Sequence, residues 1–197
     1  MTERTRGRRP GGPDTRGQIL AAARRSFADR GFGRTTIRAV AEAAHVDPAL
    51  VHHYFGAKDD LFLAALEIPV DPRALVPTVF EGGVGQAGER LLRLFLSVWD
   101  DPHNRLPLLA LVRTGLVQEA PENLLQQGIL RMVLEPMRAA LPPEEADRRV
   151  QLVASQLVGL VVARYLLVLE PLASMPAEDV VAWVAPNLQR YLDGPVP

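Results

Sequence analysis

His52 and His53 stand side by side in HVDPALVHHYFGAKDDLF, residues 45 to 62, and are followed by Tyr54, Phe55 and Lys58. Paired imidazoles invite a metal ion or a catalytic base, but the spacing argues against both. Neighbours on a helix point about 100° apart, whereas joint chelation needs positions three or four apart on one face. No serine or carboxylate can be assembled around the pair from local sequence. The chain has no cysteine, which excludes disulfide scaffolds, thiolate zinc sites and cysteine nucleophiles and fits a reducing compartment. Nucleophile motifs and phosphate loops are also missing. The expectation is a protein that is not an enzyme and uses no metal and no cofactor. The two histidines then either touch a partner or form plain solvated surface.

Charge indicates which partner. The formal net charge is only -1, but residues 1–60 carry 11 Lys+Arg against 7 Asp+Glu, and the remainder carries 11 against 16. A basic front on an acidic body points to a polyanion bound by the front alone. Arginine supplies every basic residue except Lys58, so the single lysine stands out. The start MTERTRGRRPGG has no apolar core and reads as no secretory signal. The apolar run LVGLVVARYLLVL at 157–169 is too short to cross a bilayer and contains Arg164. These features predict a cytoplasmic protein with no membrane partner.

The elements that position the histidines follow from periodicity. Residues 1–13, rich in Arg, Gly and Pro, read as a flexible basic arm, either a solubilising tail or a segment that tracks the polyanion through Arg8 and Arg9. Thr15-Arg-Gly-Gln18 fits a capping box, and Ile19, Ala22, Ala23 and Phe27 recur at helical spacing until about Arg30, before Gly31. Thr35 and Thr36 can cap a second helix with Ile37, Val40, Ala41 and Ala44 inward and Arg38 and Glu42 outward. After a turn at His45-Val46, Asp47-Pro48 starts a third helix that ends at Phe55 before Gly56. Lys58-Asp-Asp opens a fourth helix running to the Pro69 break. A short helical piece and a loop fill 72–88. Helical segments are then expected over 86–100, 104–118, 121–140 with a kink at Pro136, 143–170, and 177–192 interrupted near Pro186. Strand alternation is absent, so the fold class is all-α.

A second helix, a short turn and a short third helix make a helix-turn-helix, whose second member lies in the DNA major groove. The stretch from about Gln18 to Leu66 resembles the DNA-binding domain of TetR-type transcriptional regulators. The likeness rests on the alanine-rich first helix ending in Phe and Gly, the paired threonines, the Ala-x-x-Ala second helix, and Tyr54-Phe55 followed by Lys58 and an acid. It implies that Thr36 offers its hydroxyl and N–H to a phosphate. Tyr54 and Lys58 would hold phosphates beside the groove. The outer face of helix three, Pro48, Ala49, Leu50, His52 and His53, would meet bases or the groove wall, flanked by Arg38 and Asp47. Phosphate contacts set register and base-edge contacts set preference. Four positions depart from the family: His45 stands where Gly is usual, Leu50 where a small hydroxyl is usual, His52 where an aromatic is usual, and Ala57 where a capping oxygen is usual. Leu50 could then contact a thymine methyl, and His52 could donate to a purine acceptor. Ala57 has no oxygen to cap helix four, leaving Asp59 and Asp60 to favour its terminus.

The resemblance divides the chain into the arm 1–13, a DNA-binding domain 14–66 and a helical effector-binding and dimerisation domain 67–197. Ser155, Gly159, Val162, Ala163 and Leu166, with Val181, Val184 and Leu188 on the last helix, are the expected homodimer interface through the last two long helices; a monomeric core is the other reading. Trp99, His103, Arg113, Gln127, Met132 and Gln156 are candidates for an effector cavity, mostly apolar with a few polar fixtures. Arg164 needs a carboxylate or a water path. The expected partners are a double-stranded DNA operator, a largely apolar small molecule and a second copy of the chain. The alternative is a helical small-molecule sensor without specific DNA binding.

Overall fold

A computed structural model describes residues 14–117 and 125–195. The arm residues Arg8 and Arg9 and the start of the expected 121–140 segment lie outside the described residues. Helix α1 spans Thr15–Arg34, α2 Ile37–Ala43, α3 Pro48–Phe55 and α4 Lys58–Ala65. The caps explain their boundaries. Asp14, not Thr15, starts α1: its carboxylate accepts from Gly17 N at 3.0 Å, placing negative charge at the helix N-terminus where it satisfies an orphan donor. α1 also runs past the expected stop, because Gly31 takes φ 72°, ψ 174° and lets one further turn follow a kink. Thr35 then pins that turn, its hydroxyl donating between the carbonyls of Ser26 at 2.9 Å and Gly31 at 2.8 Å.

Thr36 caps α2 by accepting from Ala39 N at 3.1 Å, and Asp47 caps α3 by accepting from Ala49 N at 2.7 Å. Between them the chain passes through His45 at φ 56°, a left-handed conformation that glycine adopts freely and histidine tolerates better than most residues. Ala57 provides no cap for α4, and Asp60 reaches back instead, accepting from Ala57 N at 2.9 Å.

The body continues with α5 Pro72–Thr78, a 3₁₀ turn Val84–Gln86, α6 Ala87–Trp99 and α7 Pro102–Val117. A π-helical turn Leu125–Leu130 leads into α8 Arg131–Ala139. α9 Pro143–Leu160 runs on as a second π-helical turn Val161–Leu166, and α10 is Ala177–Asp193. Strands are absent among the described residues, and the fold is all-α. Pro186 does not interrupt α10. The proline ring removes the bond to the Ala182 carbonyl, but both residues are exposed, so water can take that carbonyl.

Two apolar clusters hold the helices together. The first gathers α1 to α4 around Phe27, Phe62 and Leu61, and includes Leu108, Leu111, Ile129 and Met132 from later in the chain. The second packs α5, α6, α8, α9 and α10 around Leu92, Met137, Val150 and Leu188. α6 and α10 approach closely at Gly88, where a Cβ would lie 2.6 Å from Gln189 N, and Gly88 N donates to Gln189 Oε1 at 2.9 Å. Val181 and Leu188, expected at a dimer interface, belong to this second cluster and face the chain's own core. Ser155 and Gly159 are exposed, whereas Val162, Ala163, Leu166 and Val184 are half-buried. The apolar side chains that α9 and α10 do turn outward are Leu152, Val158 and Trp183, the last 77 % exposed.

Candidate nucleic-acid interface and internal cavity

α3 is anchored by Val51 and Phe55, which are buried against α1, α2 and α4. Because its inward positions recur every four residues, the remaining surface turns outward. Ala49, Leu50 (39 % exposed), His52, His53 and Tyr54 (43 % exposed) are exposed, and Pro48 is half-buried. Thr36, Arg38 and Asp47 are exposed as well. The ten candidates from Thr36 to Lys58 thus lie on α2, α3 and the start of α4, with Lys58 half-buried at the margin.

The polar groups on this face are already oriented. His53 meets Tyr54 edge-on, with ring centroids 5.5 Å apart, and Tyr54 stays exposed. His52 Nδ1 lies 2.9 Å from the Gly56 carbonyl. A carbonyl only accepts, so this nitrogen carries the proton, and the donor expected for a purine acceptor is engaged with the end of its own helix. Lys58 Nζ donates to the Gly33 carbonyl at 3.2 Å and lies 4.3 Å over the Phe32 ring. Burial lowers its pKa, Asp59 opposes that, and Arg131 adds to it. A phosphate at this corner would restore the charge balance that burial disfavours.

Arg131, at the start of α8, completes a seam between the four N-terminal helices and the rest of the chain. Its Nη2 donates to Asp59 at 2.6 Å, and its guanidinium lies 5.0 Å from the same Phe32 ring that Lys58 covers. Arg73 on α5 pairs with Asp60 and, at 2.7 Å, with Asp71. Hydrogen bonds from Arg73 hold both carboxyls below the ordinary range. Gly128 packs on Phe62 so closely that a Cβ there would meet the ring at 2.4 Å. Sequence reasoning passed over this seam. The signal available was an isolated Gly and Arg within the otherwise apolar segment 128–134.

On the other side of that segment lies a cavity of about 190 Å³. Its wall includes Phe95, Trp99, Leu108, Leu130, Val133 and Val158. Of the six expected lining residues only Trp99 is placed there with its side chain described, stacked between Phe95 at 5.8 Å and Tyr165 at 5.5 Å. His103 and Arg113 are exposed, because charged and polar ends on α7 keep their hydration by facing water. Met132 is buried among the residues around Phe62, one helical position away from the cavity face, and Gln156 is half-buried off the lining. The side chain of Gln127 lies outside the described residues. The polar fixtures expected are therefore not there: among the described residues the lining carries no charged, hydroxyl or amide side chain.

Arg164 finds both kinds of partner a buried cation needs. It donates to the carbonyls of Leu172 at 2.6 Å and Met175 at 2.8 Å, and sits 3.4 Å from Asp100. Tyr165 donates to the same Asp100 oxygen at 2.9 Å, and burial raises its pKa, reinforced by that carboxylate. Among the described residues no cluster of three His, Asp or Glu can hold a metal ion, and no helix is long and apolar enough to cross a membrane.

Comparison with known proteins agrees with this geometry. Residues 19–65 match the model for bacterial regulatory proteins of the tetR family, and residues 85–192, more than half of the chain, match the tetracyclin repressor-like C-terminal domain. A crystal structure of a TetR-family regulator from Streptomyces coelicolor A3 is 38 % identical, covers 94 % of this chain and 98 % of its own, and superposes with a TM-score of 0.53. The HTH-type transcriptional regulator BetI of Brucella abortus is 31 % identical over 112 residues, 57 % of this chain and 49 % of its own length. HbdR of Aromatoleum sp. strain CIB, also described as an HTH-type transcriptional regulator, is 36 % identical over 70 residues, 35 % of this chain and 31 % of its own length. The match spans about half the BetI relative's length or less in these two curated proteins. With both family models placed along it and the helix-turn-helix at α2–α3, the chain belongs to the TetR family of bacterial regulatory proteins.

Proposed function

We propose that this protein is a homodimeric transcriptional repressor of the cytoplasm that grips a palindromic operator and lets go when an apolar small molecule enters its body. It works by binding, not catalysis. Residues 14–66 form the DNA-binding domain, 67–197 the effector-binding and dimerisation domain, and 1–13 an arm whose Arg8 and Arg9 follow the backbone or minor groove. Thr36, Tyr54 and Lys58 contact phosphates. Pro48, Ala49, Leu50, His52 and His53 enter the major groove, with Arg38 and Asp47 at its edges.

The observation that carries this reading is that one segment serves two surfaces. Ile129, Leu130 and Val133 wall the cavity, while Gly128 and Arg131 hold Phe62 and Asp59 of α4. An effector that prefers the displaced position of this segment would move α4, and with it α3, changing the spacing of two reading helices in a dimer. Among the described residues the lining is free of charge, which supports an uncharged, carbon-rich effector, since an ion would lose hydration there without a partner. Leu152, Ser155, Gly159, Val158 and Trp183 are the outward residues of α9 and α10 that support a second copy packing there.

Selection from random duplexes at several salt concentrations tests the reading: a palindrome should emerge, and recovery of no shared sequence, with binding no stronger than to bulk DNA, would sink it. Lys58→Ala should weaken all sequences alike and lower the salt slope by about one.

A further inference from the structure

We propose that His52 reads its base pair as an acceptor, selecting an exocyclic amine, adenine N6 or cytosine N4, through a bare Nε2. The inference rests on the DNA-binding reading above and specifies what one residue of that interface prefers. It starts from how α3 ends. The last carbonyls of a helix have no intrahelical donor, and a histidine in the last turn can supply one. Here Gly56 is tied to His52 twice: Gly56 N donates to the His52 carbonyl at 2.9 Å, and His52 Nδ1 lies 2.9 Å from the Gly56 carbonyl. The turn that brings this carbonyl round needs Gly56 at φ 76°, which a residue with a Cβ rarely adopts.

The chemistry of the pair fixes the tautomer. A carbonyl oxygen cannot donate, so the proton of the neutral ring sits on Nδ1, and Nε2 on the far edge keeps its lone pair. Nε2 is not the nitrogen engaged with the helix end, and His52 is exposed. The neighbouring outward side chains at Pro48, Ala49 and Leu50 have no hydrogen-bonding group, and Asp47 is engaged in capping. His52 therefore brings an acceptor next to the apolar positions 48–50, which read by shape. In the major groove the donors are adenine N6 and cytosine N4, while guanine presents N7 and O6, both acceptors. A guanine edge would set lone pair against lone pair, and a thymine would offer only O4 and a methyl group.

Two measurements test this on the full chain at pH 8. The first needs no DNA. With ¹⁵N-labelled histidine, and H52N to assign the signals, His52 should show a protonated Nδ1 and an unprotonated Nε2; an Nε2–H tautomer overturns the proposal. The second compares sequences selected by the wild type and by H52A. The position at which H52A relaxes should hold adenine or cytosine on the contacted strand. Replacing that base by its analogue without the amine, purine or 2-pyrimidinone, should weaken wild-type binding roughly tenfold, within the usual cost of a mismatched pair, and leave H52A nearly unchanged. Guanine or thymine at that position, or equal losses in both proteins, overturns the proposal while leaving DNA binding intact. Selection of no sequence by the wild type overturns the regulatory reading itself, and this one with it.

Discussion

The segment from Gly128 to Leu134 borders two interiors of opposite character. Toward α4 it meets a filled, directional seam: Phe62 fully buried against Gly128, Asp59 held by Arg131, and the Phe32 ring under both Arg131 and Lys58. Toward α6 and α9 the same segment faces a carbon-lined space of about 190 Å³ that its own side chains do not fill. A packed seam transmits displacement because it cannot deform gradually, whereas an unfilled apolar space accepts new atoms with little directional demand. In the repressor proposed above, the first side would transmit and the second would sense.

The comparison breaks most visibly at Phe62. Truncation to alanine should lower stability by about 3–5 kcal/mol, as expected for a fully buried aromatic whose cavity cannot collapse onto a helix already in contact. Thermal denaturation measures this, and a loss under about 1 kcal/mol would show that the seam is looser than its geometry. An intermediate effect is expected on the other side. Val133→Phe places carbon into the open space, so stability should hold or rise by up to about 1 kcal/mol, in contrast to the usual cost of enlarging a core residue. The same substitution should abolish the thermal shift produced by apolar small molecules. A large destabilisation would mean that Val133 is packed as tightly as Phe62.

What the sequence revealed and what it concealed divide along the same line. The boundaries of α2 and α3 were legible because their signals are local: Thr36, Asp47-Pro48 and Gly56 act within one helical turn of themselves. Even the departure at His45 could be read ahead, as a left-handed position occupied by a residue with a Cβ. The start of α1 is ambiguous in sequence by one residue, because Asp14 and Thr15 both offer a capping oxygen and only the backbone decides between them. The cavity lining was mostly missed. Periodicity tells which residues avoid water, but it does not distinguish Met132, packed near Phe62, from Val133, facing the cavity one position later. Val181 and Leu188 resemble interface residues for a related reason: an apolar stripe looks the same whether it meets its own α6 or a second copy. The seam was invisible because Asp59 and Arg131 lie 72 residues apart, and no local rule joins them.

The smallest effect concerns pH and the ionic half of the seam. Arg73 hydrogen-bonds Asp60 and Asp71 and thereby lowers the pKa of both; the backbone N–H of Ala57 also favours ionised Asp60. A carboxylate with a lowered folded pKa binds its proton more readily in the unfolded chain. Its contribution is therefore complete above the unfolded value of about 3.9 and disappears as pH falls through the lower folded value. Stability of the wild type should accordingly drop more steeply below about pH 4 than that of Asp60→Asn, whose amide oxygen can still cap Ala57 but has no charge for Arg73. Because Asp60 is 42 % and Asp71 38 % exposed, solvent screens these pairs, and the difference between the two proteins at neutral pH should stay within about 1 kcal/mol. Melting temperatures measured from pH 7 to pH 3 decide it. Parallel curves would place the acid sensitivity elsewhere and leave Gly128 against Phe62 and Arg131 on Asp59, rather than the Arg73 carboxylate cluster, as the contacts that join α4 to the body.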